Sequence, residues 1–157
     1  TLSTAWDIST SSSPQVFNLT SQDTSVQGVF FKPDGLKMYM IGRTNDKIYE
    51  YSLSTAWDIT TLSYSQDFSV ASRDTTPRSV FFKPDGLKIY IVGDDNDIIV
   101  EYNLSTAWDI STASYLQQFD LSSYEYTPQS LFFKPDGLKV YVIGQAGDDV
   151  NEFNVGN

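Results

Sequence analysis

The chain has 157 residues, 40% apolar and 15% aromatic, which suits one folded domain with a buried core and argues against disorder. Its formal net charge of −10 disfavours nucleic acid and anionic membrane as partners. With no cysteine and no histidine, it can form no disulfide, no thiolate metal site and no Ser-His or Cys-His pair.

One stretch sets the register. Phe30-Phe31-Lys32-Pro33-Asp34-Gly35-Leu36-Lys37 returns unchanged from Phe81 to Lys88 and from Phe132 to Lys139, each time after 51 residues. The chain therefore reads as one repeat domain, 1–157, with units 2–52, 53–103 and 104–154.

Each unit opens on Leu-Ser-Thr-Ala-Trp-Asp-Ile, starting at Leu2, Leu53 and Leu104. Small polar residues around one tryptophan predict a structured connection, not a helix. A short extended segment follows at Gln15–Leu19, Gln66–Val70 and Gln117–Leu121, where Phe17 and Leu19 alternate with Val16 and Asn18. A polar loop starts at Ser21, Ser72 and Ser123. The next strand carries Val29-Phe30-Phe31, Val80-Phe81-Phe82 or Leu131-Phe132-Phe133. A tight turn then reverses the chain through Pro33-Asp34-Gly35, Pro84-Asp85-Gly86 and Pro135-Asp136-Gly137, where proline fixes φ and glycine suits the turn's last position.

The following strand is apolar on both faces: Met38-Tyr39-Met40-Ile41, Ile89-Tyr90-Ile91-Val92 and Val140-Tyr141-Val142-Ile143. Such a run predicts burial from two sides. After a short polar turn, a last strand runs over 48–53, 99–104 and 150–155. Four antiparallel strands per unit and two-sided burial predict an all-β β-propeller of three four-stranded blades, with a β-trefoil monomer as the alternative.

The units resemble short propeller repeats with a Phe-x-Pro-Asp-Gly-x-x-x-Tyr-x-x-Gly core, of the YVTN, NHL and lactonase-like kind. The Leu-Ser-Thr-Ala-Trp-Asp segment resembles tandem propeller repeats of phage and bacterial proteins. The resemblance implies the fold and leaves activity open, since propellers host many functions.

Three blades do not close a ring, and the open sides would expose apolar surface. The chain is therefore expected to partner itself, as a homodimer forming one six-bladed ring, with a homotrimer as the alternative. The third blade would lack its outer strand, and the spare strand at 15–19 would complete it in a partner, giving reciprocal strand exchange.

Identical residues cluster on one face of such a ring and divergent loops on the other. Candidate ligand-binding residues on the divergent face are Gln27, Arg78 and Gln129 at the channel mouth, with Arg43, Arg73, Tyr124 and Tyr126 around it. Trp6, Trp57 and Trp108 are expected to cover the repeated Lys-Pro turns, with sugar stacking as the alternative. Glu50, Glu101 and Glu152 are expected to pair with Lys37, Lys88 and Lys139. Asp94, Asp95 and Asp97, then Asp148 and Asp149, could offer oxygen ligands to calcium but lack the spacing of an EF-hand loop; Asp46, Asp97 and Asp148 are expected to shape the polar turn instead.

The sequence reading is a self-assembling, non-enzymatic scaffold or binding module, with a lectin-like propeller as the alternative. It expects no catalytic residue, metal or cofactor, and a glycan or small ligand as the further partner.

Overall fold

A computed structural model describes residues 5–11 and 14–156 of the chain. Strands β1 (Val26–Phe31), β2 (Lys37–Gly42), β3 (Lys47–Leu53) and β4 (Leu62–Ser69) form one antiparallel sheet in that order. Strands β5 (Pro77–Phe82), β6 (Lys88–Gly93), β7 (Ile98–Leu104) and β8 (Ala113–Asp120) form a second. Strands β9 (Pro128–Phe133), β10 (Lys139–Gly144) and β11 (Val150–Asn154) form a third, which has three strands rather than four. Each four-stranded sheet takes three strands from one repeat and its fourth from the next.

The expected outer strands start too late. β4 begins at Leu62 and β8 at Ala113, because Leu62 and Ala113 already pair with Leu53 and Leu104. A register shift beside Glu50 and beside Glu101 then adds one residue to each outer strand. Residues 14–19, the first copy of this segment, form no strand with any described residue.

β1, β5 and β9 lie side by side as the innermost strands, so the sheets fan outward like blades. The two-sided burial expected of the second strands holds in the first two blades: Met38 to Ile41 are all buried, as are Ile89, Ile91 and Val92. Tyr39 and Ile41 face the second sheet with Val80, Phe82, Ile89 and Ile91. Met38 and Met40 face the other way, where Phe17 and Leu19 pack against them. Val92 and Ile99 meet Leu131, Val140 and Val142 between the second and third sheets. Among the described residues no further sheet packs on the outer side of the third, and Phe132, Leu138, Ile143 and Val150 are exposed where their counterparts in the other blades are better covered.

Each opening connection has one geometry. Trp57 and Trp108 adopt left-handed backbone (φ 65° and 63°), rare for a bulky residue, and their amides donate to the carbonyls of Gly35 and Gly86 at 3.0 and 2.9 Å. The indoles then lie on those two turn glycines so closely that a Cβ on either would collide with the ring. Asp58 and Asp109 next cap short 3₁₀ turns at Ile59–Thr61 and Ile110–Thr112. The packing role expected for the tryptophans is thus met by two of them. Trp6 has the same backbone (φ 66°) but is 97% exposed, and no atom lies within 4 Å of a Cβ built on Gly137.

Candidate functional site

The divergent face begins with a buried carboxylate that identity counting overlooks. Asp23 accepts the amides of Ser25, Thr44 and Asn45 at 2.7, 3.2 and 3.0 Å. Asp74 accepts those of Thr76 and Asn96 at 2.7 and 3.4 Å, and Glu125 those of Thr127 and Ala146 at 2.8 and 3.1 Å. Each clamps the polar turn between the second and third strands to the loop that enters its blade. Each sits where a side chain on Gly42, Gly93 or Gly144 would collide with it. The signal was present: an acid stands two residues after every loop serine, opposite an unvarying glycine.

Burial pushes the Asp23 carboxyl up, but its amide donors together outweigh that and hold it below the ordinary range. Burial prevails at Asp74, with Asp94 and Asp95 nearby, and raises it. These are framework carboxylates. Asp46, Asp97 and Asp148 also serve the turns, each in left-handed backbone near φ 52°. No group of three or more acidic residues is placed to hold a metal ion among the described residues.

On this framework, Arg78 stands near the start of the innermost strand β5. Its Nε and Nη2 donate to Asp94 Oδ2 at 3.0 and 2.5 Å, and its Nη1 donates to Gln27 Oε1 at 3.0 Å. The pair is well shielded, with 17% and 14% of the two side chains exposed. Burial would raise the Asp94 carboxyl, but Arg78, the Thr76 hydroxyl and the more distant Arg43 hold it below its ordinary value, so it is ionised near neutrality. Gln27 is fixed in turn by donating to Ser25 Oγ at 3.0 Å.

The structure thus joins Gln27 and Arg78 across two blades, with Arg43 contributing its field. Gln129 holds the equivalent place on β9 and donates to the Thr127 carbonyl at 3.1 Å. Arg73 does not join them. Its guanidinium stacks 3.6 Å from the Tyr115 ring on an outermost strand, beside a polar cavity of about 360 Å³. Tyr124 packs edge-on against Phe153, 5.2 Å away on β11, and Tyr126 is exposed. The seven expected residues therefore separate into a group at the innermost strands and a rim group. Asp94, not among the seven, is the central acceptor.

On the opposite face the expected ion pairs form. Lys37 Nζ donates to Glu50 Oε1 at 2.5 Å, and Lys88 and Lys139 pair with Glu101 and Glu152. Gln66 of β4 donates to Glu50 Oε2 at 2.8 Å, and Gln117 of β8 to Glu101 Oε2 at 2.7 Å. Lys–Glu–Gln is thus a polar crosspiece spanning three strands of each complete blade.

No protein-family model and no curated protein sequence matches the chain. Solved structures do. A Bacteroides uniformis protein assigned as a 6-phosphogluconolactonase superposes with a TM-score of 0.65 at 16% identity, covering 83% of this chain and 37% of that one. The Pseudomonas aeruginosa periplasmic gluconolactonase PpgL gives 0.61 at 16% identity, covering 82% and 35%. The β-propeller domain of Cps50 (Swd1) from Myceliophteria thermophila gives 0.59 at 14%, covering 83% and 40%. The chain thus spans little more than a third of these neighbours, and the likeness establishes the propeller fold over the trefoil. It also corrects the expectation of a non-enzymatic scaffold, and with it the lectin-like alternative, because proteins named as lactonases share this architecture. Lack of histidine removes one kind of base but leaves carboxylates and guanidinium groups able to do proton transfer and charge stabilisation. The chain is an all-β, β-propeller-type structure of three blades, the third with three strands among the described residues.

Proposed function

We propose that two copies of this chain close one six-bladed ring by exchanging their first extended segments, and that the ring hydrolyses a small polar lactone at the channel mouth of its divergent face. The open edge of the third blade carries the first half of this reading. Among the described residues β11 pairs with β10 alone. Residues 15–19 meanwhile lie where the fourth strand of a preceding blade belongs. Phe17 meets Tyr51 edge-on at 6.1 Å and 80°, just as Phe68 of β4 meets Tyr102 of the next blade at 5.2 Å and 83°. In the ring, that preceding blade is the third blade of the second copy. Gln15 would then supply the missing member of the crosspiece at Lys139 and Glu152. Backbone pairing along β11 and cover for its apolar side give the exchange its driving force.

The Arg78–Asp94–Gln27 group supports the second half, together with the lactonase names among proteins of this fold. Arg78 stabilises the charge that develops on the lactone carbonyl oxygen. The ionised Asp94 takes a proton from the attacking water as the water oxygen bonds to the carbonyl carbon. The ring C–O bond then breaks, the proton passes to the leaving alkoxide, and a hydroxy acid results.

The test is base-titrated hydrolysis of glucono-1,5-lactone and related aldonolactones, with Arg78→Met as control. The expected result is turnover above the uncatalysed rate in the parent and its loss in the variant, with solution mass unchanged. A parent no faster than buffer, or an equally active variant, overturns the assignment.

A further inference from the structure

Trp108 and the two residues after it are wedged between the first two blades. The Trp108 carbonyl accepts from Lys37 Nζ at 2.8 Å and from the Tyr39 hydroxyl at 2.7 Å, both on the first blade. Its indole covers Gly86 of the second blade and stacks on Phe82 at 5.4 Å. Asp109 accepts from Gln66 Nε2 at 2.8 Å, and Ile110 is wholly buried. Three residues therefore touch both blades at once and lock them together.

The same construction is half present one junction along. The second and third blades offer Lys88, Tyr90, Gln117 and Gly137 at the positions of Lys37, Tyr39, Gln66 and Gly86. A cavity of about 460 Å³ lies between these blades, lined by Lys88, Tyr90, Gln117 and Phe133 among others. No described tryptophan covers Gly137. The chain carries a further copy of the wedge sequence, Trp6-Asp7-Ile8, in which Trp6 is 97% and Ile8 83% exposed and the left-handed tryptophan backbone is already set. Residues 15–19 lie on the far side of the first blade, so their own chain's cavity is the wrong destination for this wedge.

We infer that Trp6-Asp7-Ile8 is a hook that docks between the second and third blades of a second copy of this chain, seating the indole on that copy's Gly137. The Trp6 carbonyl accepts from Lys88 and Tyr90 there, Gln117 donates to Asp7, and Ile8 fills the slot. Strand exchange would join two chains along one blade edge; the hook adds a clamp across the next interblade junction. It rests on the two-chain ring proposed above, yet it can fail by itself.

The test is fluorine NMR of the full chain labelled with 5-fluorotryptophan, its three signals assigned by single Trp→Phe changes, with a soluble gadolinium chelate as probe and sedimentation run on the same samples. At a two-chain mass, the Trp6 signal should be shielded from the chelate at least as well as that of Trp57. Trp6→Ala should weaken association by roughly 30-fold or more, the range of a buried aromatic anchor. A two-chain mass with Trp6 fully open to the chelate overturns the hook and leaves the ring standing. A one-chain mass at every concentration overturns both.

Discussion

Three glycines with the same backbone but different neighbours give a graded perturbation. Gly35, Gly86 and Gly137 all sit near φ +72° to +75°, so alanine at any of them incurs the left-handed cost of about 1–2 kcal/mol. At Gly86 the new methyl also meets Trp108, which Phe30, Phe82 and Tyr39 hold on its other sides. Overpacking there adds about 1–3 kcal/mol, so Gly86→Ala should lose about 2–5 kcal/mol in all. Gly35→Ala meets the more exposed Trp57 and should fall lower in that range. Gly137→Ala meets nothing within one chain and should lose only the backbone cost of about 1–2 kcal/mol at high dilution. At concentrations where two chains associate it should meet the second copy's Trp6 and weaken association. Urea unfolding at dilute protein and sedimentation at high protein separate the two effects. Equal losses for all three at dilution, or an unchanged association constant for Gly137→Ala, would refute the reasoning.

Arg78→Met should abolish lactone turnover while leaving the sedimenting mass unchanged; retained turnover removes Arg78 from the site. Glu50→Ala leaves Lys37 without its carboxylate and strips Gln66 of one of two acceptors, so it should cost about 3 kcal/mol in urea unfolding. A loss under about 1 kcal/mol, the value of an exposed pair, would contradict a buried crosspiece. Asp23 and Asp74 should respond to pH with opposite sign. The Asp23 carboxyl lies low in the folded chain, so its contribution is present above the ordinary carboxylate range and is lost as pH falls through its folded value. The Asp74 carboxyl lies high, so its contribution is present below that range and is lost as pH rises through its folded value. Relative to the parent, Asp23→Asn should therefore melt progressively lower from pH 3 to pH 6 and Asp74→Asn progressively higher. Trends of the same sign would contradict the two assignments.

The repeat period made the architecture legible. Two-sided apolar runs such as Met38 to Ile41 could be buried only between neighbouring layers, and the Lys-Pro-Asp-Gly turns fixed where each strand reverses. The repeated glutamates and lysines were also readable as pairs, because a charge recurring in a strand between layers needs a partner. The strand ends were less legible. The β4 and β8 starts depend on a bulge at Glu50 and Glu101, and nothing in the local composition marks that extra residue.

The candidate site was partly legible. Gln27 and Arg78 converge as their matching repeat positions implied, but Arg73 turned to Tyr115 and Tyr124 to Phe153, since aromatic rings at the rim offer contacts that loop spacing does not encode. In the sequence Asp94 is one acid among several in its turn. Its role emerges only with the pairing of β5 and β6, which sets Arg78 beside it. The buried Asp23, Asp74 and Glu125 escaped because the third copy exchanges aspartate for glutamate, a change that identity treats as divergence and hydrogen bonding does not.

The proposed six-bladed ring rests on two half rings completing each other. Sedimentation equilibrium of the full chain at tens of micromolar measures that directly. A closed six-bladed ring has twice the 17.6 kDa chain mass. A species of one chain that persists at those concentrations would contradict it, and a species of three chains would replace the six-bladed ring with nine blades.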